Sequence, residues 1–280
     1  MTSLSVQRME TSSTRFSLTL TVNAFLVTHE NEGILIDTGF DDADSVQAIL
    51  ASIDRENITM KGIYLTHYHV DHSLGAPALA HALHCPIYYH HRDENNLITT
   101  WQHAKHAVAG LRLCVLDPAV PITLGAEQLQ VVETPGHTHG HVSYFHQASK
   151  TLFAGDMVIH GNSVWVGPPD GHMDDYLDSL HALIDLNPSV IYGGHGPIIT
   201  PGTPWLHTLY QRRLDREKQI ISLLEKNRQT VDSLAKALYG DRPIQWVTKK
   251  TIVAHLQRLQ KQKRIKWSQD PLSLTTYYYA

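Results

Sequence analysis

Short apolar runs that stop at a glycine, a histidine or a carboxylate recur through the first 200 residues. Gly33-Ile34-Leu35-Ile36-Asp37 ends at Thr38-Gly39, and Gly62-Ile63-Tyr64-Leu65-Thr66 runs directly into His67. Residues 129–133 lead to Thr134-Pro135-Gly136-His137, Leu152-Phe153-Ala154 to Gly155-Asp156, and Val190-Ile191-Tyr192 to Gly193-Gly194-His195. Runs of this length, β-branched or aromatic and bounded by turn residues, predict buried strands. Residues 16–22 and 24–27 read as strands too. Residues 41–53 predict a helix that Asp41 or Asp42 can cap, with Val46, Ile49, Leu50 and Ile53 on one face. This alternation predicts a mixed α/β architecture that projects polar residues from its strand ends, where sites gather.

The pattern changes beyond Pro204. Residues 206–227 predict a long helix, with Leu209, Leu214, Ile220, Ile221 and Leu224 partly on a common face. Thr230-Val231-Asp232 starts a second helix, which Gly240 ends. Residues 248–261 form a third, with Ile252, Val253, Leu256 and Leu259 at helical spacing. The tail alternates as a hairpin would, in residues 264–267 and 275–279. Three helices and a hairpin form a winged-helix outline, so two domains are expected, residues 1–204 and 205–280.

Composition sharpens that division. The whole chain of 280 residues has a formal charge of −4, but residues 1–204 carry 8 basic and 21 acidic side chains, whereas residues 205–280 carry 15 and 6. The modest net value is a cancellation between −13 and +9. Two cysteines exclude a disulfide scaffold. No apolar stretch approaches the roughly 18 residues of a membrane span, and residues 1–15 lack the signal-peptide pattern, so no membrane partner and a cytoplasmic location are expected.

Five of the 20 histidines fall in runs where chemistry is expected. In Thr66-His67-Tyr68-His69-Val70-Asp71-His72, His67 and His69 can present two imidazoles to one cation while Asp71 and His72 reach a second. His137, Asp156 and His195 each follow a predicted strand beside glycines, which suit tight turns that aim a side chain at a centre. A single His-x-His is often accidental; the full ordered set is not. Neither Cys85 nor Cys114 falls in these motifs, and both are expected to be structural.

The ordered set Asp37 (in Ile36-Asp37-Thr38-Gly39), His67-x-His69-x-Asp71-His72, His137, Asp156 and His195 resembles the five motifs of the metallo-β-lactamase superfamily, over roughly residues 16–200. The resemblance implies a four-layer αββα sandwich with a two-metal site at one edge of its sheets. It places one metal on His67, His69 and His137 and the other on Asp71, His72 and His195, with Asp156 bridging. Asp37 orients a ligand, and Asp37 and Asp71 are the candidate catalytic carboxylates. The implied cofactor is a pair of zinc ions, with iron or manganese compatible with the same ligands. The implied activity is hydrolysis, a metal-bridging hydroxide attacking a thioester, ester or lactone on a small-molecule or carrier-bound acyl substrate. His141, where members of that superfamily often keep a histidine, is the candidate for a residue behind the ligands or on the substrate side. His139 is expected to be neutral. His160, Trp165 and Tyr192 could border the cleft, while His90, His91, His103, His106 and His172 are expected to be surface or structural.

The C-terminal segment resembles the lactamase-like branch that includes an RNA-cleaving mitochondrial protein and fungal carrier-protein thioesterases, and the resemblance extends to Pro168-Pro169-Asp170-Gly171 and Arg212-Arg213-x-x-Arg216. A basic segment with Lys249, Lys250, Arg258, Lys261, Lys263, Arg264 and Lys266 raises two alternatives: an endoribonuclease acting on single-stranded RNA, or a nucleic-acid-binding module with structural metals. Packing on the acidic domain, a substrate lid or a homodimer interface would use the same charge.

Overall fold

The computed structural model describes residues 4–13, 20–161, 163–240, 246–271, 273 and 275–280. A first sheet contains, in spatial order, β1 (Ser5–Ser13), β2 (Leu20–His29), β3 (Glu32–Ile36), β4 (Thr59–Tyr64), β5 (Ile87–Tyr89) and β6 (Leu113–Val115). Strands β1 to β3 are antiparallel, and β3 to β6 run parallel. Parallel neighbours need crossovers. Helix α1 (Ala43–Glu56) connects β3 to β4, α2 (Val70–Ser73) and α3 (Ala76–Leu83) lie between β4 and β5, and α4 (Glu94–His103) lies between β5 and β6.

A second sheet runs β11 (Val190–His195), β10 (Thr151–Ile159), β9 (Val142–His146), β8 (Glu127–Glu133) and β7 (Ile122–Leu124). Its one parallel pair, β10 and β11, is joined through α5 (Met173–Asp185). Strand alternation builds the layers. On β2 and β3, Phe25, Val27, Ile34 and Ile36 face Leu129, Val142, Tyr144 and Phe153 between the sheets. Leu26 and Leu35 point the other way, against Ile49, Ile53, Leu79 and Trp101 of the covering helices. The outer face of the second sheet is covered by Tyr176, Leu177, Leu180 and Leu183 of α5 together with Leu206 and Leu209. This is the four-layer αββα sandwich.

The chain then forms α6 (Gly202–Lys226), α7 (Val231–Tyr239), α8 (Trp246–Lys261) and an antiparallel hairpin of β12 (Lys266–Gln269) and β13 (Thr276–Tyr279). Helix α6 is shared between cores: Leu206 and Leu209 join the second sheet's cluster, whereas Ile220 and Leu224 pack with Leu234, Ile252, Leu256 and Ile265. Thr230 and Ser233 cap α7 reciprocally. Several basic side chains of the C-terminal segment are engaged within the chain. Arg258 reaches Asp174 of α5 at 2.7 Å and Glu217 at 2.6 Å, Lys261 reaches Asp174 at 2.9 Å, and Lys249 reaches Asp232 at 2.5 Å.

Two local differences from the sequence reading have physical causes. The polar start of the chain is a nine-residue edge strand paired with β2, formed although its alternating side chains are mostly polar. Helix α6 begins four residues before the expected 206, because Pro204 is tolerated in a first turn. Part of the expected 16–22 strand, residues 16–19, lies outside the described residues, while 20–22 belong to β2. Among the described residues no helix is long and apolar enough to cross a membrane.

Candidate metal centre

The chain between β4 and α2 carries His67 and His69, and α2 itself carries Asp71 and His72. Asp156 lies in β10 and His195 ends the neighbouring β11, so the parallel pairing of these strands brings both to the same edge. His137 comes from the loop between β8 and β9. Gly136, at φ 133°, lets that loop pass against α5, where a Cβ would run into the backbone of Tyr176.

Seven side chains converge. The ligand atoms of His67, His69 and His137 lie within 4.8 Å of one another, as do those of Asp71, His72 and His195, and those of His67, His72 and Asp156. The Nδ1 of His69 is 3.0 Å from Nε2 of His67 and 2.9 Å from Nε2 of His137. Asp156 spans the two sets: its Oδ1 is 3.4 Å from Nε2 of both His72 and His195, and its Oδ2 is 3.6 Å from Nε2 of His137. Asp71 Oδ2 stands 3.4 Å from His195 Nε2.

The far side of each ring shows which nitrogen is free. His137 Nδ1 donates to the carbonyl of Trp165 at 2.7 Å, His195 Nδ1 to the carbonyl of Thr21 at 2.6 Å, and His72 Nδ1 to Asp37 Oδ2 at 2.8 Å. Thr66 Oγ1 donates to Asp37 Oδ2 at 2.8 Å, so it accepts from His67 Nδ1 at 3.0 Å. Each of these four rings therefore turns its Nε2 inward with Nδ1 held outward as the donor, the orientation control that metal sites use. His72 Nε2 and Asp156 Oδ1 are buried and make no hydrogen bond. Buried polar atoms without partners are costly, and a divalent cation would satisfy them. The set is all imidazole nitrogen and carboxylate oxygen, a donor set for a divalent metal ion.

Electrostatics separate the two ends. Burial, reinforced by neighbouring imidazoles, holds His67 well below the ordinary histidine range, and burial with His137 holds His69 at about 3. At the other end burial is overridden. Asp156, Asp71 and Asp37 hold His72 well above its ordinary value, and Asp156 lifts His195 to about 10. Burial likewise opposes ionisation of the carboxylates, but His195 and His72 keep Asp156 far below its usual range, and His72 keeps Asp71 at about 2. The site is a carboxylate pair that demands positive charge.

Of the two roles open to His141, its contacts match the one behind the ligands: it is buried, its Nε2 accepts from the backbone N–H of Asp156 at 3.1 Å, and its Nδ1 bonds Thr134 Oγ1 at 2.8 Å. It positions the Asp156 strand from behind. Asp37 has the contacts of the orienting role rather than of a group that touches substrate, buried behind His72 and also accepting the backbone N–H of Thr66 at 2.7 Å. Tyr192 packs against Phe25 and Phe153, and His160 stacks on Trp205. Trp165 does border the centre, its ring stacked on His69 at 5.9 Å. His139 bonds Asp170 at 3.0 Å, His90 pairs with Glu133 and His106 with Asp41, both at 2.9 Å.

Three supporting residues escaped the sequence reading. Asp93 accepts from the backbone N–H of Tyr68 and Gly140 and from Thr138, tying the His67–His69 turn to the His137 loop. Asp170 stands 3.9 Å from His69 Nε2; its only signal was its place in Pro168-Pro169-Asp170-Gly171. Asn23 donates to the carbonyls of Gly193 and Gly196, both at 2.9 Å, fixing the turn that carries His195.

The chain resembles known proteins along its length. A beta-lactamase-like protein 2 homolog of Caenorhabditis elegans is 28% identical over 228 residues, covering 79% of this chain and 72% of that protein. An atrochrysone carboxyl ACP thioesterase of Aspergillus chevalieri is 27% identical over 251 residues, covering 85% and 73%. Among solved structures, a metallo-beta-lactamase family protein from Thermus thermophilus superposes with a TM-score of 0.77 at 21% identity, covering 98% of both chains. A protein solved in a di-iron-bound form has a TM-score of 0.56 at 27% identity, covering 70% of this chain and 96% of that one. Residues 19–195 match the metallo-beta-lactamase superfamily, the span that holds every member of the centre, and the chain belongs to that superfamily of hydrolases.

Proposed function

We propose that this protein is a binuclear hydrolase of acyl thioesters. The carrying observation is the position of Asp156, whose two oxygens face different histidine sets while the Nε2 atoms of His67, His72, His137 and His195 are all turned inward. His67, His69 and His137 would hold one divalent ion and Asp71, His72 and His195 the other, with Asp156 between. Ions bound there supply Lewis acidity and an acidified water. Zinc fits these ligands, and the di-iron form of a relative keeps iron in view.

The chain's own contribution is placement. His67, His72 and His137 are buried, whereas the side chains of His69, Asp71 and His195 remain 15–19% exposed. Substrate therefore approaches across that face, beside Trp165. Asp71, held ionised there, can accept a hydrogen bond and orient a water. The thioester reading is supported by the names of fungal relatives, the A. chevalieri enzyme and a thioesterase of Emericella nidulans, 31% identical over 72% of this chain and 54% of that protein. We read the C-terminal helices and hairpin as a winged-helix-like unit that packs on the catalytic sandwich. The pairing of Arg258 and Lys261 with Asp174 favours that role over nucleic-acid binding.

The test is incubation of the metal-loaded protein with acyl thioesters and with single-stranded RNA. Thioester turnover that disappears in His67→Ala is expected. RNA cleavage that disappears in the same variant, without thioester turnover, would select the nuclease.

A further inference from the structure

Beside the centre lies a cavity that none of the assigned ligands lines. It has a volume of about 590 Å³ and opens between the segment carrying Trp165 and helices α6, α7 and α8. Trp165, Arg212, Arg213, Arg216, Tyr239 and His255 line it. The size is that of a small-molecule pocket.

Its charge is unbalanced. Among the described residues no carboxylate lies within ion-pair distance of Arg212, Arg213 or Arg216. Arg213 is 6% exposed; it donates to the carbonyl of Val164 at 2.5 Å and lies over the Tyr176 ring at 5.0 Å, and neither contact supplies a negative charge. A buried guanidinium without an anion is costly unless something supplies one. Asp215 also lines the cavity, but Lys218 and Gln211, each at 2.9 Å, already occupy its Oδ1. One further donor is unpartnered, the buried Trp165 indole N–H; the fully buried His255 gives its Nδ1–H to Glu217, which leaves its unbonded Nε2 as an acceptor. Arg212 and Arg216 lie over the rings of Trp205 and Tyr239 at 5.4 and 4.6 Å, which fixes their planes and leaves N–H edges free.

The cavity shares a wall with the metal centre. Trp165 lines it while stacking on His69 and accepting the hydrogen bond of His137. We infer that this cavity is a phosphate subsite, and that the hydrolysed substrate is an acyl thioester whose thiol arm carries a phosphate group. The arm would seat its phosphate on Arg212, Arg213 and Arg216 and present its thioester past Trp165 to the His69–Asp71–His195 face. The acyl part of this inference rests on the thioester reading above; the phosphate part rests on the cavity alone. A nucleic-acid track is disfavoured because the neighbouring Arg258, Lys261 and Lys249 are spent on Asp174, Glu217 and Asp232.

The experiment compares S-acetyl-4′-phosphopantetheine with S-acetyl-pantetheine on the metal-loaded full chain, alongside calorimetric binding of the two free thiols. Arg212→Gln and Arg216→Gln are the variants, alone and together; Arg213 stays in place because it fixes Val164. The wild type is expected to favour the phosphorylated ester in kcat/KM by about tenfold or more, the size of one charge-assisted hydrogen bond, and the double variant to bring that ratio towards one. A merely structural role for the arginines would leave the ratio unmoved. Phosphate-dependent thiol binding that the variants abolish supports the subsite even if neither ester is hydrolysed, in which case only the thioester reading fails. Equal turnover of both esters with no effect of the variants overturns the subsite and leaves the thioester reading standing. Tighter binding of a single-stranded RNA oligomer than of phosphopantetheine, lost in the same variants, also overturns it.

Discussion

The Nδ1–H of His72 donates to Asp37 Oδ2 at 2.8 Å, and both side chains are sealed from solvent. The same carboxylate receives the backbone and hydroxyl of Thr66, and through that hydroxyl it also sets the ring of His67. One buried acid thus aims an imidazole in each half of the centre. Replacing Asp37 with alanine is expected to weaken metal binding about 10- to 100-fold, the usual effect of deleting such a partner. Competition with a chelator of known affinity measures this, and an unchanged affinity would remove Asp37 from the role.

Metal binding should release protons. His72 is held well above its ordinary value and His195 at about 10, whereas a ligating imidazole must be neutral. Apparent affinity should therefore rise with pH through the neutral range. Titrations in buffers of different ionisation heat report the number of protons displaced; a count of zero at pH 7 would contradict the electrostatics described for this end of the site.

Asp93 supplies a stability signature. Burial, with the nearby Asp170 charge, raises its carboxyl to about 7. Between the unfolded carboxylate value near 4 and that folded value, the native state holds a proton the unfolded chain has released. Its contribution is present below about pH 4 and is lost as pH rises towards 7, with a limiting slope of about 1.4 kcal/mol per pH unit. Urea unfolding from pH 5 to 7 should therefore show a shallower decline in Asp93→Asn than in the wild type, whatever the variant's absolute stability. Identical slopes would show that Asp93 does not hold this proton.

The parts of the site legible in the sequence were those whose ligands lie close together or end a strand. His67, His69, Asp71 and His72 fall within six residues, and His137, Asp156 and His195 each follow an apolar run into a glycine turn. Asp93 and Asn23 had no such mark. They act by accepting from or donating to backbone groups 25 to 173 residues away, a relation that the sheet order creates and no local pattern encodes. His141 was open between two roles for a related reason: only the Asp156 backbone, fifteen residues on, claims its Nε2 and so tells them apart. The edge strand β1 was obscured because its stability comes from pairing with β2 rather than from its own apolar residues.

The central claim is a pair of ions bridged by Asp156, and metal content measured together with thioester turnover on one preparation tests it most directly. Two divalent ions per chain are expected in the wild type after exhaustive dialysis. At most one ion, with turnover strongly reduced, is expected in Asp156→Asn, where a neutral amide replaces the bridging charge. Two retained ions with a normal rate in that variant, or a fully active wild type holding a single ion, would contradict it.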